Sequence, residues 1–94
     1  MTITDELRRY LREAFHGPEG LGGDVSLIDA GIIDSRGMLE LIAFIEQRYG
    51  FVVGDRDIQP DNFGTLARVA AYVQRMIDRG APAGQKLRSD EQRA

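Results

Sequence analysis

The chain has 94 residues, 43% of them apolar: enough for one small folded domain and too few for a second core. It has no cysteine and one histidine, His16, which excludes disulfides, thiolate metal sites, a cysteine nucleophile and a multi-histidine metal cage. The net charge is −3, but residues 24–61 alone carry −5, with eight acids to three bases. An acidic middle argues against nucleic acid, where a basic face is expected, and fits a basic protein partner or an ordinary solvated surface. The longest apolar runs, Leu41–Ile45 and Val69–Val73, are five residues each. A membrane span needs roughly 20. The start, Thr-Asp-Glu-Leu-Arg-Arg, shows no apolar export segment, so a soluble, cytoplasmic protein is expected.

The first helix is predicted over Ile3–Phe15. Ile3, Leu7, Tyr10, Leu11 and Ala14 draw one stripe at helical spacing. Thr2 followed by Asp5 resembles a capping box with a shorter acid, and Asp5 and Glu6 suit the positive end of the helix. Gly17 and Pro18 stop it, and His16 is read as a residue answering the free carbonyls at its end. Residues 16–33 form a long glycine-rich connection, pinned by Val25, Leu27, Ile28, Ile32 and Ile33, with one turn over Ser26–Ala30.

The clearest helix runs from Asp34 to Tyr49 and stops at Gly50. Its core stripe is Met38, Leu41, Ile42, Ile45 and Tyr49, and the opposite face carries Arg36, Glu40, Ala43 and Gln47, with Leu39 on the flank. Phe51–Val53 reads as buried loop, because a lone three-residue strand finds no partner in the sequence. A short helix is predicted around Pro60, within Asp57–Phe63. Thr65 caps a last long helix whose stripe is Leu66, Val69, Ala70, Val73 and Ile77, stopped by Gly80. The expected fold is all-α: a small antiparallel four-helix bundle of three long helices and one short one, with a long first loop. Residues 1–80 form the domain, and residues 81–94, polar and rich in Gly and Pro, read as a disordered tail.

Ser35 stands at the start of the second long helix, after Gly-Ile-Ile-Asp. Free backbone N–H groups and the helix dipole favour an anion there, so Ser35 could anchor a phosphodiester; on position alone the simpler reading is that Asp34 or Ser35 is a plain N-cap. Leu39 and Ala43 lie off the core stripe beside Glu40, which fits a docking patch, although the first loop could instead cover Leu39. No Gly-x-Ser-x-Gly elbow surrounds Ser35, which speaks against a serine hydrolase using His16. Asp55, Asp57 and Asp61 lack the calcium-loop pattern and read as turn and helix-start residues.

The run from Leu27 to Ser35 (Leu-Ile-Asp-Ala-Gly-Ile-Ile-Asp-Ser), then Leu39-Glu40-Leu41-Ile42, Ile45-Glu46 and Tyr49-Gly50, closely resembles acyl carrier proteins. Asp57, Pro60, Asn62-Phe63, Leu66 and Ala71-Tyr72-Val73 continue the resemblance, which spans about residues 3–78. It implies a stand-alone carrier, not an enzyme, whose Ser35 receives 4′-phosphopantetheine from coenzyme A by way of a phosphopantetheinyl transferase that uses magnesium. A cysteine-free chain needs such an imported thiol to hold an acyl or aminoacyl thioester. The implied partners are that transferase, an acyl- or aminoacyl-loading ligase and downstream transferases, met by a monomer, with no nucleic acid and no membrane. Recognition is implied along the second long helix, at Asp34, Arg36, Leu39, Glu40 and Ala43, with binding that is weak and salt-sensitive.

Two positions depart from the pattern or strain it. Many relatives carry an apolar residue directly after the serine; Arg36 would pair with the attached phosphate or answer an acid on an unusual partner. Gly37 costs about 1 kcal/mol of helix propensity relative to alanine and would keep the helix start open. A helical interaction module without a cofactor is the alternative.

Overall fold

The computed structural model describes residues 2–80; the predicted tail, 81–94, lies outside them. Among the described residues, four α-helices follow in order: α1 (Ile3–Phe15), α2 (Ser35–Tyr49), α3 (Pro60–Phe63) and α4 (Leu66–Asp78), with one 3-10 turn over Asp55–Asp57. This is the expected all-α bundle of three long helices and one short one.

Each long helix starts where a side chain satisfies backbone donors that the helix itself cannot. Thr2 Oγ1 accepts from the Asp5 N–H at 3.1 Å and the Asp5 carboxylate accepts from the Thr2 N–H at 3.4 Å, a reciprocal capping box. The hydrogen bonds with Thr2 hold the Asp5 carboxyl below its ordinary range. Asp34 caps α2 and Thr65 caps α4, each accepting from the N–H three residues on. At the other ends, α1 stops at His16 (φ 56°) and α2 at Gly50 (φ 78°), both left-handed. His16 ends α1 as expected, and its backbone N–H donates to Leu11 O.

The helices bury their stripes in one core: Leu7 and Leu11 of α1, Leu41 and Ile45 of α2, Leu66, Val69 and Val73 of α4, with Phe63 of α3. Each such side chain contributes about 1.5–3 kcal/mol on leaving water. The first loop belongs to the same core through Leu21, Leu27 and Ile33. Its backbone is tied down as well. Leu27 N–H donates to Gly64 O, Ala67 N–H donates to Gly23 O, and Arg8 Nε donates to Leu21 O. The expected turn is present, with Ala30 N–H donating to Ser26 O at 3.0 Å.

Several expected core positions are corrected. Ala14 is exposed, because its single methyl does not reach the neighbouring elements, and the contact passes to the longer Phe15. Ile77 is 40% exposed while Tyr72, off the predicted stripe, is buried beside Phe51 and Phe63. Val25 and Ile28 in the first loop stay exposed, and so does Val52, at 78%. Phe51 and Val53 flank Val52 and point inward, the alternation of an extended segment. Glu46 turns toward this segment and accepts the Val53 N–H at 2.8 Å.

Candidate functional site

Asp34 is extended (φ −106°, ψ −175°), and its Oδ1 accepts the Gly37 N–H at 2.7 Å. Ser35 is therefore the first helical residue rather than the second, and it is exposed. Met38 N–H donates to the Asp34 carbonyl, so the cap satisfies two donors of the first turn. The N–H groups of Ser35 and Arg36 keep no partner among the described residues. Arg36 is exposed and in no ion pair among the described residues, although a cation at this end opposes the helix dipole. An exposed hydroxyl, two free N–H donors and a guanidinium thus share one turn. That set fits a phosphate ester: a nucleophilic oxygen, donors for anionic oxygens, and a counter-charge.

The outward face of α2 continues with Leu39, Glu40 and Ala43, all exposed. Leu39 is 63% exposed, so the first loop does not cover it. Arg36 and Glu40 stand one helical turn apart without pairing.

Two features were not anticipated from the sequence. One is a cavity of about 350 Å³ between the first loop, α2 and α3, with Ile28, Met38, Ile58 and Phe63 as its apolar lining and Ser26, Asp29 and Gln59 as its polar lining. Met38 lies one turn beyond Ser35 on α2. The exposure of Ile28 and Ile58 is explained by their place on this cavity. The other is the setting of Gly37. It is buried beneath Phe15 of α1, so it does not serve as open space at the helix start. A glycine inside a helix, opposed by an aromatic residue near the end of the preceding helix, was the available signal.

A short helical bundle with an exposed serine on a capped helix start, bordered by a small apolar cavity, defines a carrier-type domain. The match is direct: residues 5–73 fit the family described as "Phosphopantetheine attachment site", and the chain belongs to that family. Its cofactor is 4′-phosphopantetheine.

Among curated relatives, "Probable acyl carrier protein PigG" from Serratia is 33% identical over 58 residues, covering 62% of this chain and 67% of that protein. "D-alanyl carrier protein" from Abiotrophia defectiva is 32% identical over 54 residues, 57% of this chain and 68% of that one. "Meromycolate extension acyl carrier protein" from Mycobacterium tuberculosis is 31% identical over 72 residues, 77% of this chain and 61% of the relative's length. Among solved structures, a chain from one described as "Crystal structure of FAD-dependent dehydrogenase" is similar with a TM-score of 0.61 and 30% identity, over 71% of this chain and 97% of that one. The chain is thus a carrier protein by family, and the family meets modifying and loading enzymes. No described helix is long and apolar enough to cross a membrane.

Proposed function

We propose that Ser35 is the residue that bears the phosphopantetheine arm, and that the chain works as a stand-alone, monomeric carrier of an acyl or aminoacyl group. One observation carries this reading: inside the family match, Ser35 is an exposed serine on the first turn of a capped helix. The arm supplies a thiol on which cargo is held as a thioester, a group the cysteine-free chain has no other means of providing.

The chain's own residues do the rest. Asp34 fixes the helix start, so the Ser35 oxygen is held on a rigid element. The free N–H groups of Ser35 and Arg36 and the Arg36 guanidinium neutralise the phosphodiester. Leu39, Glu40 and Ala43 present the docking surface to the transferase, the loading ligase and the enzymes that follow. The relatives' names cover both acyl and D-alanyl carriers, which supports leaving both cargo classes open here. Residues 1–80 make up the carrier unit in this reading.

Intact mass after incubation with coenzyme A, magnesium and a broad-specificity phosphopantetheinyl transferase tests it. The parent chain gains one phosphopantetheinyl group and Ser35→Ala gains none. A parent that stays unmodified with several transferases, or a Ser35→Ala variant that still gains the mass, overturns the assignment. The first of those results favours an interaction module without a cofactor. Loading in trans by purified acyl and aminoacyl ligases, read as a hydroxylamine-sensitive adduct, then separates the cargo classes.

A further inference from the structure

We infer that the contact between Phe15 and Gly37 is a positioning device: the edge of the Phe15 ring, seated where residue 37 has no side chain, sets how the first turn of α2 presents the Ser35 hydroxyl. This deepens the reading of Ser35 as the attachment point and rests on it.

A Cβ at residue 37 would stand 2.8 Å from Phe15 Cε1, closer than carbons of packed side chains come. It would also meet Asp34 Oδ1 at 3.3 Å and Ile33 Cγ1 at 3.4 Å. A swing of the half-buried Phe15 ring is opposed from one side by Tyr10. The ring stands edge-on to Tyr10, with centroids 5.7 Å apart and planes at 81°. Tyr10 in turn stacks on Phe44 at 4.0 Å, and its hydroxyl donates to the Glu40 carbonyl at 3.3 Å. Phe44 and Glu40 both belong to α2, so α1 grips α2 at its first turn and again further along. On this inference a methyl group at residue 37 is accommodated by moving the start of α2.

That movement acts on Ser35 through the cap. Gly37 N–H and Asp34 Oδ1 form the 2.7 Å bond that closes the turn, and Ser35 lies between the two residues. Displacing Gly37 strains the cap and re-aims the hydroxyl. In the modification, the Ser35 oxygen forms the new phosphodiester bond, the pyrophosphate bond of coenzyme A breaks to release adenosine 3′,5′-bisphosphate, and the serine proton passes to the transferase. A small misplacement of the nucleophile slows such a step far more than it weakens docking.

The experiment compares the full chain with Gly37→Ala, Phe15→Leu and the double variant. It measures the steady-state kinetics of the transferase with each chain as substrate and coenzyme A saturating, together with backbone amide NMR spectra of the unmodified chains. Gly37→Ala is expected to lower kcat about tenfold with KM nearly unchanged, since only the reacting oxygen is misplaced. Its amide signals over residues 34–39 shift. Trimming the ring in the double variant restores both the signals and most of kcat, a rescue that loss of stability alone would not give.

A folded Gly37→Ala chain with parental kcat, or a double variant as slow as the single, overturns the inference. Should Gly37→Ala fail to fold, Phe15→Leu decides: it lowers kcat and moves the signals of residues 34–39, and unchanged values of both overturn the inference. If the parent accepts no arm at Ser35, the attachment reading fails on its own. The amide signals then judge the clamp without reference to modification, and signals over residues 34–36 that stay in place in Gly37→Ala overturn it.

Discussion

Between α1 and α2 the fastening is aromatic and centred on one carboxylate. Tyr10 stacks on Phe44, and Glu6 accepts from the Tyr49 hydroxyl at 2.7 Å and from Arg48 at 2.8 Å. Between α4 and the segment of the 3-10 turn and α3 it is a set of dispersed polar latches on a buried ring. Tyr72 donates to Asp57 at 2.8 Å, Arg75 to Asn62 at 2.9 Å and Arg68 to the Pro60 carbonyl at 3.2 Å, while Phe63 packs beside Tyr72. No side-chain hydrogen bond joins α2 to α3 among the described residues. The contrast teaches where the domain can yield. α2 is tied to α1, α3 is tied to α4, and the cavity beside Met38 opens where α2 faces α3, so those two walls can part without breaking a side-chain hydrogen bond, whereas the first-loop wall is held to Gly64 O by the Leu27 N–H.

Four substitutions probe this division, from the largest expected effect to the smallest. Phe63→Ala removes the buried anchor of α3 and should cost about 3–5 kcal/mol in denaturant unfolding, because the short helix has no other large apolar group in the core. Gly37→Ala sets two terms against each other. It gains about 1 kcal/mol of helix propensity and loses about 1–3 kcal/mol to overpacking against Phe15, so the expected result is a net loss. A stabilised variant in thermal unfolding would show that the α1–α2 contact is looser than the geometry states.

Tyr72→Phe keeps the ring and deletes the latch to Asp57, at about 1 kcal/mol. It also changes the alkaline limb of stability. Burial, then the hydrogen bond to and charge of Asp57, push the Tyr72 phenol far above its ordinary 10.0. The native state therefore keeps that proton longer than the unfolded chain does. Its stabilisation is complete below pH 10.0 and declines as pH rises beyond it, so Tyr72→Phe should flatten that decline.

Glu6→Gln is the smallest change and acts at the opposite limb and on the opposite pair of helices. The Tyr49 hydroxyl first, and Arg48 with it, hold the Glu6 carboxyl below its ordinary 4.5. That contribution is present above pH 4.5 and disappears as pH falls through the lowered value. Thermal midpoints of parent and Glu6→Gln should differ at neutral pH and converge in acid. Equal midpoints throughout would assign the α1–α2 fastening to the aromatic stack alone.

The helices were legible in the sequence because a period of 3.6 and a polar cap are local signals. Thr2, Asp34 and Thr65 mark the starts, and Leu7, Leu41 and Val69 sit on the stripes they define. What escaped has no period. Leu21 is buried within a glycine-rich loop, and Tyr72 reaches the core from beside its stripe because an aromatic side chain is long enough to do so. The serine on the capped turn was visible as a pattern, and so was the outward set of Arg36, Leu39, Glu40 and Ala43. The cavity and the seat of Phe15 on Gly37 were not, because both are made by segments distant in the chain. Glycine in a helix registers locally only as a propensity cost.

Glu46 carries a last consequence. With its carboxylate turned inward to hold the Val53 N–H, the outward strip of α2 that begins at Ser35 carries the cation Arg36 and the anion Glu40, neither in an ion pair among the described residues. Opposite charges a helical turn apart largely cancel beyond a Debye length, about 8 Å in physiological salt, so this strip exerts little pull on an approaching enzyme. On the proposed docking reading, encounters there are expected to depend little on salt, against the expectation from the sequence, and discrimination is left to the close fit around Leu39.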